Sequence, residues 1–513
     1  MMKIVLISTA TFPSDQGIRT ISAVLKKAGY DVKTIFMAYS EDYSKFYHPN
    51  ELNQLFSICK DAKLIGIASF ASTAPRAIQI MNFLEEKGIK SPIVWGGIHA
   101  TISPDLCIEH CDLICVGEGE GAVLDLAKAI ENKKSFKKIK NLWIKENGKI
   151  IKNTVRPAIE NLDKLPYADY EIQDHYLLEN HHLRKFKEGD LAGQIFFLTG
   201  RGCPYGCAYC SNNLLNELYK GKLKKIVRWH SADYIIDCIL DLKKRFKTLN
   251  YFDIRDDTFS LRPLEQIEEF CEKYKQKLNM RFKCLGDPKT ISEEKIKLLV
   301  DAGCTDIIIG IQGSERVNKG VYHRNQTDKN VLDAGKILNR YKDKLAVMYD
   351  VITCNPYEKP EDVIDMIRLL QKIPRPYYLS VNNLVFFPGS GLYEKAKKDP
   401  KLERQAEISA NLNYWDRSKH ILLKKKNMYL VLILNLMRGS VSKSRFGLMP
   451  NFLINYLLQP KRVEHNLRNP LFSYLILYSV GISDLFRERI AKPIYRSMPV
   501  NFKVWYDKVR YRV

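Results

Sequence analysis

The sequence lacks any apolar run long enough to cross a membrane. Its longest apolar blocks lie at 428–437, 451–458 and 471–486, and none reaches the roughly 18 to 20 uninterrupted apolar residues of a spanning helix. The first apolar run, KIVLIS, is only about as long as one strand, which predicts that no signal peptide is present. The expected location is therefore cytoplasmic.

Cysteine is also sparse, at 12 of 513 residues. This is too few for a secreted scaffold held by disulfides, and in a reducing compartment clustered cysteines indicate metal or redox chemistry. The glycine pattern GxGxxG does not follow the first predicted strand, which disfavours a dinucleotide as ligand. The places where cysteine and glycine do cluster therefore carry the functional information.

Acidic residues are outnumbered, with 58 Asp and Glu against 81 Lys and Arg and a net charge of +23. Residues 401–513 hold 21 Lys and Arg against 7 Asp and Glu, a net charge of +14. These basic residues alternate with aliphatic blocks instead of lining a groove, so no nucleic-acid partner is predicted. Two interpretations stay open: a helical cap over the mouth of the barrel predicted below, with its basic face in solvent, which we favour, and peripheral contact with an anionic membrane, which would suit a lipid substrate.

The order of apolar and amphipathic segments predicts an α/β chain of several domains. Residues 1–150 alternate strands and helices, which indicates a doubly wound, Rossmann-like parallel sheet. We interpret 151–190 as a linker. Six further strands in 191–400, most followed by a helix, predict a partial (β/α)6 barrel of the TIM type, whose active mouth lies at the carboxyl ends of the strands. Residues 401–513 are predicted to form a basic, mainly helical domain.

Three cysteines stand close together in the loop after the first strand of the predicted barrel. The segment GRGCPYGCAYCS holds Cys203, Cys207 and Cys210. Structural zinc would need a fourth protein ligand, and the nearest candidate, His230, is 20 residues beyond Cys210. Three thiolates suit a 4Fe-4S cluster in which one iron stays free for an outside ligand. These cysteines are therefore predicted to be both metal-binding and catalytic.

This segment resembles the radical S-adenosylmethionine enzymes, whose CxxxCx(aromatic)C motif it matches with a tyrosine at the aromatic position. In that family the amino and carboxylate groups of S-adenosylmethionine chelate the open iron, and a one-electron reduction yields methionine and a 5'-deoxyadenosyl radical. The resemblance covers about 195–397 and implies an electron donor: a flavodoxin, a ferredoxin or a reductase. It also implies contacts to S-adenosylmethionine from five residues: Tyr209, Asp256, Gln312, Ser314 and Arg324. Cys354 and Tyr357 depart from it, because the family more often has glycine there.

Small and polar residues end the strands of the first predicted sheet, and paired glycines there leave room for a bulky, flat ligand. The set resembles the cobalamin-binding domain that precedes the radical domain in one large subfamily. It implies cobalamin contacts from nine residues: Ser14, Asp15, Gly17, Ser69, Gly96, Gly97, His99, Gly117 and Glu118. Ser14 occupies the position of the usual axial histidine, so the resemblance implies no histidine on cobalt. For His99, a structural hydrogen-bonding role is favoured over a ligand role.

Cys107, Cys111 and Cys115 have the spacing CxxxCxxxC. A second cluster is one interpretation. Buried cysteines that act as small hydrophobic residues are the favoured one, since Cys115 falls inside an apolar strand.

The two resemblances together imply a cobalamin-dependent radical methyltransferase. It would methylate an unactivated carbon of its substrate, which would be a small molecule, a lipid or a secondary-metabolite precursor. The same cofactors could instead serve a cyclisation, rearrangement or oxidation without methyl transfer. A non-catalytic electron or cobalamin carrier is the alternative of another class, and it is disfavoured because a simple ferredoxin cluster has four protein ligands.

Overall fold

The computed structural model describes residues 1–38, 46–191, 193–411, 427–437 and 450–467, together with residues 469, 471 and 475. Two parallel sheets organise this part of the chain. Within it, no helix is both long enough and apolar enough to span a bilayer.

The first sheet is built on parallel strands whose apolar runs are buried on both faces, as parallel sheets covered by helices require. Its strands are β1 (Lys3–Ser8), β2 (Asp31–Phe36), β3 (Leu64–Ala68), β4 (Ile93–Gly96), β5 (Leu113–Cys115), β6 (Leu142–Glu146), β7 (Lys149–Lys152), β8 (His175–Glu179) and β9 (His182–Lys185). Their order is β7-β6-β5-β4-β3-β1-β2-β8-β9. The helices of this unit are α1 (Gln16–Lys27), α2 (Pro49–Cys59), α3 (Ala74–Glu86), α4 (Ile98–Ile102), α5 (Pro104–Cys107) and α6 (Glu120–Glu131). The predicted doubly wound sheet is confirmed.

Antiparallel hairpins extend this sheet at both edges. Strand β6 pairs with β5 and β7 at one edge, and β8 pairs in parallel with β2 and antiparallel with β9 at the other. Part of the range that we interpreted as a linker, 151–190, thus belongs to the first sheet. The irregular connection is shorter and lies between β7 and β8, with a single 3-10 turn at Leu162–Lys164.

The second sheet has six parallel strands that follow one another in chain order. They are β10 (Gln194–Phe197), β13 (Tyr251–Ile254), β14 (Arg281–Gly286), β15 (Cys304–Gln312), β16 (Ala346–Thr353) and β17 (Tyr378–Asn383), and the two-residue strands β11 (Gly200–Arg201) and β12 (Arg228–Trp229) pair beside them. In the described residues β17 does not pair with β10, so the barrel is partial, as predicted. Its helices are α7 (Ser211–Leu218), α8 (Ala232–Arg245), α9 (Leu264–Lys277), α10 (Glu293–Asp301), α11 (Glu315–Gly320), α12 (Asp328–Asn339), α13 (Pro360–Lys372) and α14 (Gly391–Lys397).

The last described elements are helical: α15 (Glu403–Asn411), α16 (Met428–Met437), α17 (Asn451–Leu457) and α18 (Pro460–Leu467). Helix α16 is mostly buried and packs against α13, β17 and α18. Its bounds match the predicted block 428–437, and α17 matches the block that begins at Asn451. The third predicted block, 471–486, lies almost entirely outside the described residues.

Candidate active site between the two sheets

The loop that carries the three cysteines leaves β11 and enters α7. Gly202 has φ +96°, and a side chain there would meet the carbonyl oxygen of Ile226, so the chain can turn here only with glycine. Two backbone hydrogen bonds fix the middle of the loop: the Ala208 N–H donates to the Tyr322 carbonyl at 2.9 Å, and the Ala208 carbonyl accepts from the Leu392 N–H at 2.8 Å. The loop is therefore held by segments from the far end of the barrel.

The three thiols are free, and they fit a cluster that needs three protein ligands. Burial raises the pKa of Cys203 to about 12 and also raises the pKa of Cys210, so both would be thiols until a metal displaced the proton. In the described part of the chain, no three His, Cys, Asp or Glu side chains could hold a single metal ion. A four-iron cluster is much larger than one ion, so its ligands need not converge on a point.

Asp256 supports the base of this loop. Its carboxylate accepts hydrogen bonds from the Thr199 N–H at 2.6 Å, the Thr199 hydroxyl at 2.5 Å and the Gly200 N–H at 3.0 Å. It also lies 3.7 Å from the Arg262 guanidinium. The neighbouring acid, Asp257, instead lines the cavity described below and accepts from Asn212 at 2.8 Å. The structure thus places the predicted Asp256 behind the loop and Asp257 at the surface of the cavity.

Arg324 reaches the cysteine loop from the segment after α11. Its guanidinium lies 3.9 Å from the Cys207 sulfur, donates to the Asp287 carboxylate at 2.5 Å and donates to the Gly310 carbonyl at 3.2 Å. Ser314 caps α11 through the Val317 N–H. These contacts bring the predicted Arg324 to the cluster ligands.

Tyr209 and Gln312 complete the set of predicted contacts to S-adenosylmethionine. The ring of Tyr209 packs edge-on against Tyr322, with 4.9 Å between the centroids. Gln312 has φ +69° at an irregularity between β15 and β16, and its amide lies over Gly310. Burial raises the pKa of Tyr209 beyond any physiological range, so its hydroxyl stays protonated.

A cavity of about 590 Å³ lies between the carboxyl ends of the first sheet and the cysteine loop. Of the predicted cobalamin contacts, seven line it: Asp15, Gly17, Ser69, Gly96, Gly97, Gly117 and Glu118. From the barrel side it is lined by Gly200, Arg201, Gly202 and Asp257. The cavity thus joins most of the predicted cobalamin contacts to the two ends of the cysteine loop, although the three cysteines do not themselves line it.

One part of this cavity is an apolar slot between the first sheet and helices α1 and α6. It is lined by Leu6, Ile18, Ile21, Gly66, Val94, Cys115 and Val123. A side chain at Gly66 would come within 2.8 Å of the Leu6 side chain, and one at Gly119 within 3.2 Å of Ile21. A slot that glycine keeps open between apolar walls fits the flat, apolar base at the end of the cobalamin tail.

Ser14 and His99 are the two predicted cobalamin contacts that do not line the cavity. His99 lies on α4 with its ring 5.7 Å from that of Trp95, and Trp95 donates to the Ser69 hydroxyl at 2.9 Å. Gly97 has φ +88°, and a side chain there would lie 3.0 Å from the Ser69 carbonyl. The ends of β3 and β4 therefore approach so closely that His99 packs behind the turn.

Glu118 joins the first sheet to the cysteine loop. Its carboxylate lies 3.2 Å from the Arg201 guanidinium and 2.8 Å from that of Arg228, and it accepts from the Ile159 N–H at 2.8 Å. Arg201 also donates to Glu120 at 2.6 Å. Burial opposes ionisation, but the charges of the two arginines outweigh it and lower the pKa of Glu118. The sequence analysis missed both arginines as site residues, although Arg201 stands two positions before Cys203.

Glu118→Ala is expected to lower the free energy of unfolding by about 3 kcal/mol at pH 7, because the buried Arg228 loses its carboxylate partner and Arg201 keeps only Glu120. The lowered pKa means that this stabilisation is present above the ordinary glutamate pKa of about 4.3 and is lost as the pH falls through the folded-state value. Chemical denaturation of both proteins from pH 7 to pH 3 measures it. The control is Asp125→Ala, which breaks the exposed pair with Arg156 and should cost less than about 1 kcal/mol. If the two variants lost the same free energy of unfolding, the prediction would be wrong.

Cys107, Cys111 and Cys115 are all buried. The Cys111 thiol donates to the Leu113 carbonyl at 3.2 Å, and Cys115 lines the apolar slot. Burial raises the pKa of Cys111 to about 11 and that of Cys115 to about 12. These contacts support the interpretation of the three as small hydrophobic residues.

Two family matches coincide with the two sides of the cavity. The B12 binding domain matches residues 2–127, and the radical SAM superfamily matches residues 197–370. The fold and the site thus define an iron-sulfur enzyme of the radical S-adenosylmethionine class with an added corrinoid domain. The chain belongs to the cobalamin-binding radical S-adenosylmethionine enzymes, and its cofactors are a 4Fe-4S cluster, S-adenosylmethionine and cobalamin.

Curated relatives include methyltransferases and a cyclase. An uncharacterized methyltransferase of Pyrococcus horikoshii is 26% identical over 346 residues, which are 66% of this chain and 70% of the relative. The bacteriochlorophyllide d C-8(2)-methyltransferase of Chlorobaculum tepidum is 20% identical over 66% of this chain and 69% of its own. The anaerobic magnesium-protoporphyrin IX monomethyl ester cyclase of Synechocystis is 26% identical over 38% of this chain and 37% of its own.

Solved structures share the architecture at low identity. The radical S-adenosylmethionine methyltransferase TsrM of Kitasatospora setae, with cobalamin and a [4Fe-4S] cluster bound, matches with a TM-score of 0.63 and 15% identity over 77% of this chain and 76% of its own. The cobalamin-dependent radical enzyme OxsB with aqua-cobalamin bound matches with a TM-score of 0.62 and 16% identity over 99% of this chain and 80% of its own. These likenesses establish the fold.

Proposed function

We propose that this chain is a methyltransferase that acts on an unactivated carbon of a small-molecule, lipid or secondary-metabolite substrate. One observation carries the proposal: the glycine-rich strand ends of the first sheet line the same cavity as Gly202 and Ser211, the residues on either side of the three cysteines. When bound, the cluster and S-adenosylmethionine supply a carbon radical, and cobalamin supplies a methyl donor. A shared cavity allows both to act on one substrate atom.

The residues of the chain position these groups and limit the access of water. Cys203, Cys207 and Cys210 would hold the cluster, and Arg324 would place a positive charge beside Cys207 and the bound S-adenosylmethionine. The slot around Gly66 would hold the cobalamin tail, and the Gly96 to Gly97 turn would let the corrin approach the backbone. The ion pairs of Glu118 would fix the distance between the two sides.

An enzyme of this class needs a reductant, and we propose that a flavodoxin, a ferredoxin or a reductase supplies its electrons in the cytoplasm.

The first part of the basic C-terminal region includes the buried helix α16, and this burial supports its role as a cap over the barrel. Helix α17, by contrast, presents Phe452 and Tyr456 to solvent beside Lys461 and Arg462. This surface supports peripheral contact with an anionic membrane.

The test is anaerobic turnover of the reconstituted enzyme with S-adenosylmethionine that carries a deuterated methyl group, a chemical reductant and an extract of the source cells. A methyltransferase should release both S-adenosylhomocysteine and 5'-deoxyadenosine and should place the label in a new product. Mass spectrometry of the products measures all three.

The cyclase relatives make a reaction without methyl transfer the second candidate. Such an enzyme would release 5'-deoxyadenosine, with neither S-adenosylhomocysteine nor a labelled product. A non-catalytic carrier would release neither nucleoside. Either pattern would refute the methyltransferase proposal.

A further inference from the structure

The inner face of the second sheet, which we define as the face opposite its helices, carries charged side chains. On the helix side, Phe252 and Ile307 are buried in the apolar core. On the inner face, Asp253 on β13, Lys283 on β14 and Asp306 on β15 stand in register on adjacent strands. The interior of a TIM-type barrel is ordinarily filled by branched apolar residues, so a row of charges here requires an explanation.

The charges on this face are not fully paired within the described residues. One oxygen of Asp253 contacts both Arg255 and Lys283 at 2.7 Å. The other oxygen has no hydrogen-bond partner, although Asp253 is only 2% exposed. Asp306 accepts from the hydroxyls of Tyr251 at 2.9 Å and Thr305 at 2.8 Å and forms no ion pair in this part of the chain. One oxygen of the buried Asp253 therefore lacks a hydrogen-bond donor, and buried polar atoms in this state are rare.

Asp350 on β16 lies nearer the carboxyl end of the sheet, four positions beyond the residue in register with Asp306. It is half-buried, and it stands in register with Ser380 on β17. Burial raises the pKa of Asp350, and neither the hydrogen bond from Ser380 nor the more distant charges of Arg255 and Lys283 compensates for it. Its carboxylate accepts from Ser380 and forms no ion pair within the described residues, so it has room to accept further hydrogen bonds.

A short path of contacts joins Asp350 to the cluster ligands. Gly310 on β15 is its partner in register, and the Gly310 carbonyl accepts from the same Arg324 guanidinium that lies 3.9 Å from the Cys207 sulfur. The amide of Gln312 lies over Gly310 on this face. A molecule held at Asp350 would thus lie next to the site where the radical is generated.

We propose that the inner face binds the substrate, and that N–H or O–H groups of the substrate donate hydrogen bonds to Asp350 and Asp253. Carboxylates only accept hydrogen bonds, so the ligand must bring the donors. An acyl chain or another wholly apolar ligand would leave the second oxygen of Asp253 without a donor and would cover the half-buried Asp350 without offering one. The substrate class is therefore a polar small molecule with amino or hydroxyl groups, a conclusion that depends on the proposed methyl transfer.

The labelled-methyl assay tests this class when the cell extract is first divided into three fractions: an organic phase, aqueous solutes retained by a cation exchanger, and aqueous solutes not retained. We expect label in an aqueous fraction, retained for an amine and unretained for a hydroxyl compound. Label in the organic phase alone would overturn the polar class and leave methyl transfer intact. No label in any fraction would refute the methyl transfer itself and this inference with it.

The position of the substrate at Asp350 is tested with Asp350→Asn, which removes the charge and keeps the side-chain volume. At subsaturating amounts of the active fraction, labelled product should fall about 10-fold to 100-fold, the loss of a hydrogen bond to a charged acceptor. Iron content, cobalamin content and melting temperature should stay unchanged, which separates a lost substrate contact from a misfolded chain. Ser380→Ala, which keeps the charge, should reduce product by a smaller factor of about 2 to 10.

The control is Asp333→Asn, an acid on the exposed face of α12 that pairs with Lys329. It should leave product formation unchanged. If Asp350→Asn and Ser380→Ala both retain product within twofold of the unmodified enzyme, the inner face does not bind the substrate. The Ser380→Ala result alone decides the question if the asparagine variant fails to take up its cofactors.

Discussion

Replacing any one of Cys203, Cys207 and Cys210 with alanine should reduce release of 5'-deoxyadenosine to the level of protein without iron. Each sulfur is one of the three predicted protein ligands, and an open coordination site on the fourth iron would leave no spare ligand to substitute for a lost one. Iron and sulfide content, the visible absorbance of the reduced and oxidised protein, and nucleoside release measure the effect. Cobalamin binding should persist, since its predicted contacts lie mainly on the other side of the cavity.

Cys238→Ala is the matched control, because Cys238 is buried in α8 within the apolar core. Its loss should lower stability slightly and leave the iron content and nucleoside release unchanged. If a Cys203→Ala or Cys207→Ala variant bound a full complement of iron and released nucleoside at the normal rate, the assignment of the cluster to this loop would be wrong. Normal iron content and normal nucleoside release in Cys238→Ala are the expected control result and do not bear on that assignment.

The parallel strands could be predicted because each has at least one buried face, so apolar residues recur along it even where the inner face of the second sheet carries a charge. Strands β13 and β16 begin and end where the largely apolar runs YFDI and AVMYDVIT do. The hairpin strands β7 and β9 had no such signal. Both are edge strands with exposed or half-exposed side chains, so their composition resembles that of loops. Their pairing follows from the neighbouring strand and not from their own sequence.

The cysteine loop could be predicted for a different reason. Its ligands are local in sequence, so their spacing alone carries the chemistry. The partners of Glu118 could not be found this way, since Arg201 and Arg228 lie more than 80 residues further along the chain and meet it only because the two sheets pack together. Charge pairs of this kind depend on tertiary structure, which no spacing rule encodes.

The backbone conformation of Cys354 accounts for the departure from the related enzymes at this position. Cys354, where the related enzymes more often have glycine, has φ +59°. The backbone thus keeps the left-handed conformation that glycine adopts without strain, and a cysteine side chain is accommodated on it. The departure in sequence therefore changes the side chain at the end of β16 without changing the turn.

A substitution at Gly96 is expected to have a second large effect, on the binding of cobalamin and not on the iron-sulfur cluster. Gly96 lines the cavity at the end of β4, and a side chain there would point toward Cys115, which lines the apolar slot. Its φ is outside the left-handed region, and the added Cβ would lie 3.8 Å from the Cβ of Cys115, an ordinary contact. The backbone can therefore accept a larger residue here, whereas at Gly97, with φ +88°, it cannot.

Gly96→Leu should lower the affinity for cobalamin about 100-fold, because an isobutyl group would occupy space that the ligand needs, and a packed site cannot expand without strain. Cobalamin retained after gel filtration and its visible absorbance measure the loss, while the iron content should stay normal and so separate a blocked slot from a misfolded chain. Gly96→Ala is the matched control and should bind cobalamin within a fewfold of the unmodified protein. Stoichiometric cobalamin in Gly96→Leu would mean that the tail binds elsewhere, and the cavity between the two sheets would lose its assignment as the corrinoid site.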